Sequence, residues 1–114
     1  PHYYGDFLIG QLRYFAGQLE NCTARNRIIE FKKHKRSALK TAKQSVKHFR
    51  KRTAIGRTET YRLIGRCYGL INNQNKALKW WDKSIIEGQR LKADLELART
   101  INEVERKVNA ARGP

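Results

Sequence analysis

One basic segment holds the side chains with the most evident chemistry. Residues 31–52, FKKHKRSALKTAKQSVKHFRKR, contain ten Lys or Arg and no Asp or Glu. Ammonium and guanidinium groups donate charge-assisted hydrogen bonds to carboxylates and phosphates, so the segment predicts a site for an anionic partner. The chain carries a formal net charge of +15, whereas residues 81–114 hold seven basic and six acidic residues. The positive charge is therefore concentrated in the earlier part of the chain.

A helix over this segment would sort its residues onto two opposite faces. The apolar face would carry Phe31, Ala38, Ala42, Ser45 and Phe49. The opposite face would carry five cations within about 80° of one another and over a length of about 21 Å. We name these residues the basic strip: Arg36, Lys40, Lys43, Lys47 and Arg50. The strip is either a solvated helix face or a docking surface for an acidic protein, nucleic acid or anionic lipid. The lack of acidic residues one turn away favours docking, because like charges repel.

The sequence predicts no catalytic residue, no metal site and no cofactor. No nucleophile motif or phosphate-binding loop is present. His34 and His48 would lie on one helix about 21 Å apart, too far to share a metal ion. Cys22 and Cys67 form no CxxC pair, so we expect free thiols in a reducing, cytoplasmic location. No apolar run approaches the ~20 residues that a membrane-spanning helix needs.

The elements that position the basic segment are predicted to be helices. Pro occurs only at positions 1 and 114, so nothing interrupts long helices in an all-α domain over residues 1–114. Polar turns divide the chain into five predicted helices: 3–19, 26–52, 59–72, 75–90 and 94–111. Thr58 and Asn75 are the predicted N-caps of the third and fourth helices. Since the chain does not begin with Met, we expect it to be a fragment of a longer protein.

Two short sequence motifs each occur twice in the chain, in the same order. LIG at residues 8–10 returns at 63–65, so Gly10 aligns with Gly65, and Ala38 aligns with Ala77. This echo predicts two helix-pair units, unit one at 3–52 with a long second helix and unit two at 59–90. The last predicted helix, 94–111, would cap the stack through a 3–4 spaced apolar stripe: Leu95, Leu97, Ala98, Ile101, Val104 and Val108.

Unit two has the spacing of a known repeat. Its first helix carries Tyr61, Ile64, Gly65 and Tyr68, and its second carries Ala77, Trp81 and Ser84. This pattern resembles the tetratricopeptide repeat (TPR), which implies antiparallel helix pairs stacked as a short solenoid. Unit two and its tail are also similar to repeats at the C-terminal ends of bacterial multidomain signalling proteins, such as nucleotide cyclases and ATPase-type regulators. That similarity implies a non-catalytic, regulatory module for protein–protein interaction.

The resemblance to the TPR family also implies where a partner would bind. Helical-repeat proteins bind along the concave face made by the first helix of each unit. In repeat register, this predicted groove contains Phe7, Gln11, Tyr14, Glu59, Arg62 and Arg66. The two arginines are one turn apart, so both guanidinium groups could hold one acidic peptide.

Two further expectations concern partners. The first helix is apolar nearly all round, which predicts either a missing neighbouring repeat or a homodimer through this helix. The alternative to a module that binds an acidic protein is a basic helical domain that binds nucleic acid, because a basic helix can also follow phosphates. No recognised nucleic-acid reader motif accompanies the basic segment, so we favour the protein partner.

Overall fold

The computed structural model describes residues 3–52 and 54–112, and it is all-helical over these ranges. The four helices are α1 (Tyr4–Ala24), α2 (Ile28–Phe49), α3 (Ala54–Leu70) and α4 (Gln74–Arg112). No strand occurs in the described ranges, which confirms the predicted all-α class. None of the helices in these ranges is long and apolar enough to cross a membrane.

The number of helices differs from the prediction. The predicted fourth and fifth helices, 75–90 and 94–111, form one unbroken helix of 39 residues. Residues 89–95, QRLKADL, contain neither Gly nor Pro, so nothing in the sequence stops the helix there. Most of the second half of α4 is exposed and does not cap the stack, as the half-exposed Leu95, Ile101 and Val104 show. The Val108 side chain lies outside the described residues.

The two turns that close the helix pairs have the same structure. Asn26 and Asn72 both adopt the left-handed conformation, with φ of 57° and 63°. In each turn the next residue donates its N–H to a carbonyl five residues back, Arg27 to Cys22 and Asn73 to Tyr68, both at 2.9 Å. These are Schellman motifs, which tolerate Asn where most residues would be strained. The two turns therefore match at an offset of 46 residues, not at the 55 of the LIG echo.

The N-caps also differ from the prediction. Asn73, not Asn75, caps α4, because its Oδ1 accepts the N–H of Lys76 at 3.2 Å. Thr58 lies inside α3, where its hydroxyl donates to the carbonyl of Ala54 at 2.8 Å. The predicted third helix therefore began several residues late.

Contacts along the helices define how the helices are arranged. In the first antiparallel pair, Gly5 of α1 lies against Phe49 near the end of α2. In the second pair, Ser84 of α4 donates to the Thr58 carbonyl of α3 at 2.7 Å. Gly69, at the other end of α3, lies against Ala77 near the start of α4. Helix α3 packs on the other three helices, whereas α2 and α4 flank it with no close backbone approach to each other in the described ranges.

Ion pairs show that α1 and α3 run in the same direction. Arg13 pairs with Glu59, and Glu20, two turns further along α1, pairs with Arg66 at 2.7 Å. The core lies between these two helices and α2, and its fully buried side chains include Leu8, Leu12, Leu19, Leu63 and Ile64.

The predicted close crossing of α3 and α4 is present at Gly65. A Cβ added to this residue would come within 2.5 Å of the Trp81 Nε1. Ala77, one turn before Trp81 on α4, is completely buried. Gly10, which the echo aligns with Gly65, is exposed, and its added Cβ would meet nothing within 4 Å. The two LIG motifs therefore play different structural roles.

Candidate anion-binding surface

The basic strip lies on the outer face of α2. All five of its side chains, Arg36, Lys40, Lys43, Lys47 and Arg50, are exposed. The predicted apolar face points inward, with Ala38, Ala42, Ser45 and Phe49 buried and Phe31 partly buried. The buried Ser45 hydroxyl donates to the Thr41 carbonyl at 2.7 Å and so needs no other partner. Burial of one face of α2 is what holds the strip outward.

None of the ten cations between residues 31 and 52 pairs with a carboxylate of the described part of the chain. The ion pairs there involve Arg13, Arg57, Arg62, Arg66, Arg90 and Lys92 instead. Without internal acids to neutralise them, these charges repel one another, and an external anion would relieve that repulsion.

A cleft of about 380 Å³ opens beside the strip, between α2 and α4 and above α3. Its apolar lining comes from Ala42, Val46, Ile64, Tyr68 and Trp80. Its charged rim consists of three members of the basic strip: Lys43, Lys47 and Arg50. The cleft exists because α2 and α4 separate on either side of α3. An apolar floor beside cations suits a ligand that is both apolar and anionic.

Two lysines of α4 lie over aromatic rings that line the cleft, which the sequence reasoning missed. The ammonium group of Lys76 lies 5.4 Å from the centroid of the Tyr68 ring, and that of Lys83 lies 4.5 Å from the Trp80 ring. The Trp80 ring also approaches Tyr61, with 5.4 Å between ring centroids. A seven-residue spacing of cations in residues 76–90 could have revealed this second basic row.

The predicted concave groove is divided between two places. Tyr14 of α1 lies near His34 of α2, with ring centroids 6.3 Å apart, and Phe7 stacks on Tyr4. Gln11 is half-buried on the same side of α1 by helical spacing. The α1 residues that meet α3 are instead Arg13 and Glu20, on the other side of the helix. The structure therefore does not bring the three α1 residues together with those of α3.

The three α3 residues of that groove do lie together, but each of them already takes part in an ion pair. Glu59 pairs with Arg13 and lies 3.9 Å from Arg62. Arg66 pairs with Glu20 at 2.7 Å. An acidic peptide that bound Arg66 would compete with the Glu20 carboxylate for the same guanidinium group.

The thiols and imidazoles form no reactive centre in the described ranges. Cys22 and Cys67 are both free and buried. Burial raises the pKa of the Cys67 thiol to about 11, although the nearby Arg66 opposes the shift. His34 and His48 contact aromatic rings of α1. No group of three His, Cys, Asp or Glu among the described residues could hold a metal ion.

Comparisons with protein-family models, with curated proteins and with solved structures find no match to this chain. The geometry of the chain itself is therefore the basis for a function.

Proposed function

We propose that the chain is a non-catalytic protein-interaction module that binds an acidic partner through the basic strip of α2. The observation that carries the proposal is the strip itself. Five exposed cations follow one face of α2, and no described carboxylate lies within ion-pair distance of them. Such a row favours fast association with an oppositely charged surface.

The proposal includes a TPR-like architecture. Two antiparallel pairs with matching turns, a parallel arrangement of α1 and α3, and the packing of Trp81 on Gly65 support it. A regulatory role within a larger bacterial signalling protein rests on the sequence resemblance alone. A cytoplasmic location is supported by the two free thiols.

A homodimer through α1 is a second proposed contact. The leucines of α1 are buried within the chain, but a group of aromatic side chains remains exposed: Tyr3, Tyr4, Phe7 and Tyr14. Exposed aromatic groups of this kind are enriched at protein interfaces. Light scattering over a range of concentrations tests the proposal, and a monomer at every concentration would contradict it.

Nucleic acid is the alternative ligand for the strip, favoured by the net charge of +15. One experiment separates the two functions. The parent chain, a Lys40→Glu/Lys47→Glu variant and a charge-matched Lys92→Glu/Arg99→Glu control are titrated with a Glu-rich peptide, single-stranded DNA and duplex RNA at two salt concentrations. We expect the Glu-rich peptide to bind the parent chain. The strip variant should lower the affinity for this peptide about tenfold more than the control does. Tight binding of nucleic acid but not of the peptide, weakened more by the strip variant than by the control, would show the alternative to be correct.

A further inference from the structure

Cations recur at seven-residue spacing on the two helices beside the cleft. On α2, Lys43 and Arg50 line the cleft itself. On α4, the ammonium groups of Lys76 and Lys83 lie over Tyr68 and Trp80, two rings of its lining. We propose that the groove between α2 and α4 receives an amphipathic α-helix of a partner protein, with acidic residues along both edges of its apolar stripe. This inference rests on the proposed function and names the partner's chemistry and the surface where it binds.

Contacts to α3 place the two rows side by side. Phe49 of α2 lies against Gly56, and Gly88 of α4 lies against Thr58, so both helices meet the same turn of α3. Because both run antiparallel to α3, α2 and α4 run parallel, and positions about 40 residues apart in the chain lie at the same level. Lys43 and Lys83 are 40 residues apart in the sequence and therefore lie at about the same level on the two helices.

The spacing of the cations selects a helical partner. Seven residues of a helix span about 10.5 Å, or two turns. A partner helix lying along the groove presents side chains at the same interval on each edge, so its acids can meet both rows at once. No carboxylate of the described residues lies within ion-pair distance of Lys76 or Lys83, whereas Arg90 already lies 3.4 Å from Glu87. The two lysines are thus available to carboxylates.

The floor of the groove distinguishes a helix from a nucleic acid. Ala42, Val46 and Ile64 supply an aliphatic surface that matches the apolar stripe of an amphipathic helix. Single-stranded nucleic acids instead need open aromatic faces on which bases stack. The ring faces of Tyr68 and Trp80 here lie beneath lysine ammonium groups.

The test uses designed peptides and the chain of 114 residues. One peptide has Leu at heptad positions a and d and Glu at e and g, where mutual repulsion keeps it monomeric. A second has the same composition in scrambled order, and a single-stranded oligonucleotide is the third probe. Lys43→Glu and Lys83→Glu change opposite walls, and Lys33→Glu makes the same change on an exposed part of α2 outside the groove. Thermal unfolding shows whether each variant keeps the fold.

We expect the ordered peptide to bind more tightly than the scrambled one. Each wall variant should weaken that binding about tenfold, and Lys33→Glu should weaken it much less. Equal binding of the two peptides, equal effects of all three substitutions, or preferential binding of the oligonucleotide would overturn the proposal. If Lys83→Glu has no effect while Lys40→Glu/Lys47→Glu still weakens binding, the groove is wrong but the function of the strip stands. If neither variant has an effect, both proposals fail.

Discussion

The indole of Trp81 lies directly against the backbone of Gly65, in the space that a Cβ would occupy. Glycine at this position lets α3 and α4 approach closely, and Ala77 of α4 is completely buried near the crossing. The contact joins α3, which forms the floor of the cleft, to α4, which forms one of its walls, so it positions that wall relative to the floor.

Gly65→Ala should therefore destabilise the protein. The added Cβ would approach the Trp81 Nε1 to 2.5 Å, so the ring must shift, at a cost of about 1–3 kcal/mol. Gly10→Ala is the matched control, since its Cβ would meet nothing within 4 Å, and Ala favours a helix by about 0.5–1 kcal/mol. Urea unfolding measures the free energy of unfolding of both variants. Similar changes in the two variants would show that the crossing at Gly65 is not tight.

Thr60→Val should raise the free energy of unfolding by about 1 kcal/mol. The Thr60 hydroxyl is fully buried and has no hydrogen-bond partner among the described residues, which is unfavourable for a polar group. Ser84→Ala should have the opposite effect, because it removes the 2.7 Å bond to the Thr58 carbonyl. Thermal or urea unfolding of both variants checks the signs, and a loss of stability in Thr60→Val would contradict the argument.

Stability should fall as the pH rises from about 9 to about 11. The Cys67 pKa is raised from 9.0 to about 11 in the fold, so the native state keeps a proton that the unfolded chain loses. The contribution of the buried thiol is complete below pH 9 and is lost through this window, by about 2–3 kcal/mol. Lysines and tyrosines also titrate here, so the measured quantity is the difference between the parent and Cys67→Ala. Parallel pH profiles for the two proteins would refute the prediction.

Glu87 should matter more for stability than Glu20. Both join two helices through an arginine, but the Glu87 side chain is 14% exposed and that of Glu20 is 62% exposed. Glu87→Gln weakens contacts with both Arg57 and Arg90 in a partly buried place, and we expect a loss of about 1–3 kcal/mol. Glu20→Gln should cost less than about 1 kcal/mol. Chemical denaturation at low and moderate salt measures both, and a larger effect at Glu20 would reverse this ranking.

The sequence was sufficient to predict the features that depend on helical periodicity. The outward strip and inward Ala38, Ala42, Ser45 and Phe49 of α2 follow from residue spacing alone. The position of Gly65 opposite α4 follows from small residues at the spacing of a helix pair. Each of these features involves one helix or two helices adjacent in the chain.

The predictions were wrong where they assumed a repeat register and set aside the helix propensity and turn signals of the local sequence. Placing a break between residues 90 and 94 supplied a separate capping helix for the repeat stack, although Gln89, Arg90 and Leu91 all favour a helix. The LIG echo suggested that Gly10 acts like Gly65, whereas the matching turns at Asn26 and Asn72 give a different offset. The seven-residue spacing of Lys76 and Lys83 is visible in the sequence, but their position beside the cleft depends on how three helices pack.

The unbroken length of α4 has a mechanical consequence. Helix α4 is 39 residues long and about 58 Å in length, and most of its later turns project past the end of α3, in a molecule whose longest dimension is 71 Å. A rigid rod anchored at one end converts a small rotation at its base into a large displacement at its tip. A tilt of α4 that accompanied opening of the groove would therefore move its far end by several times the shift at Trp80.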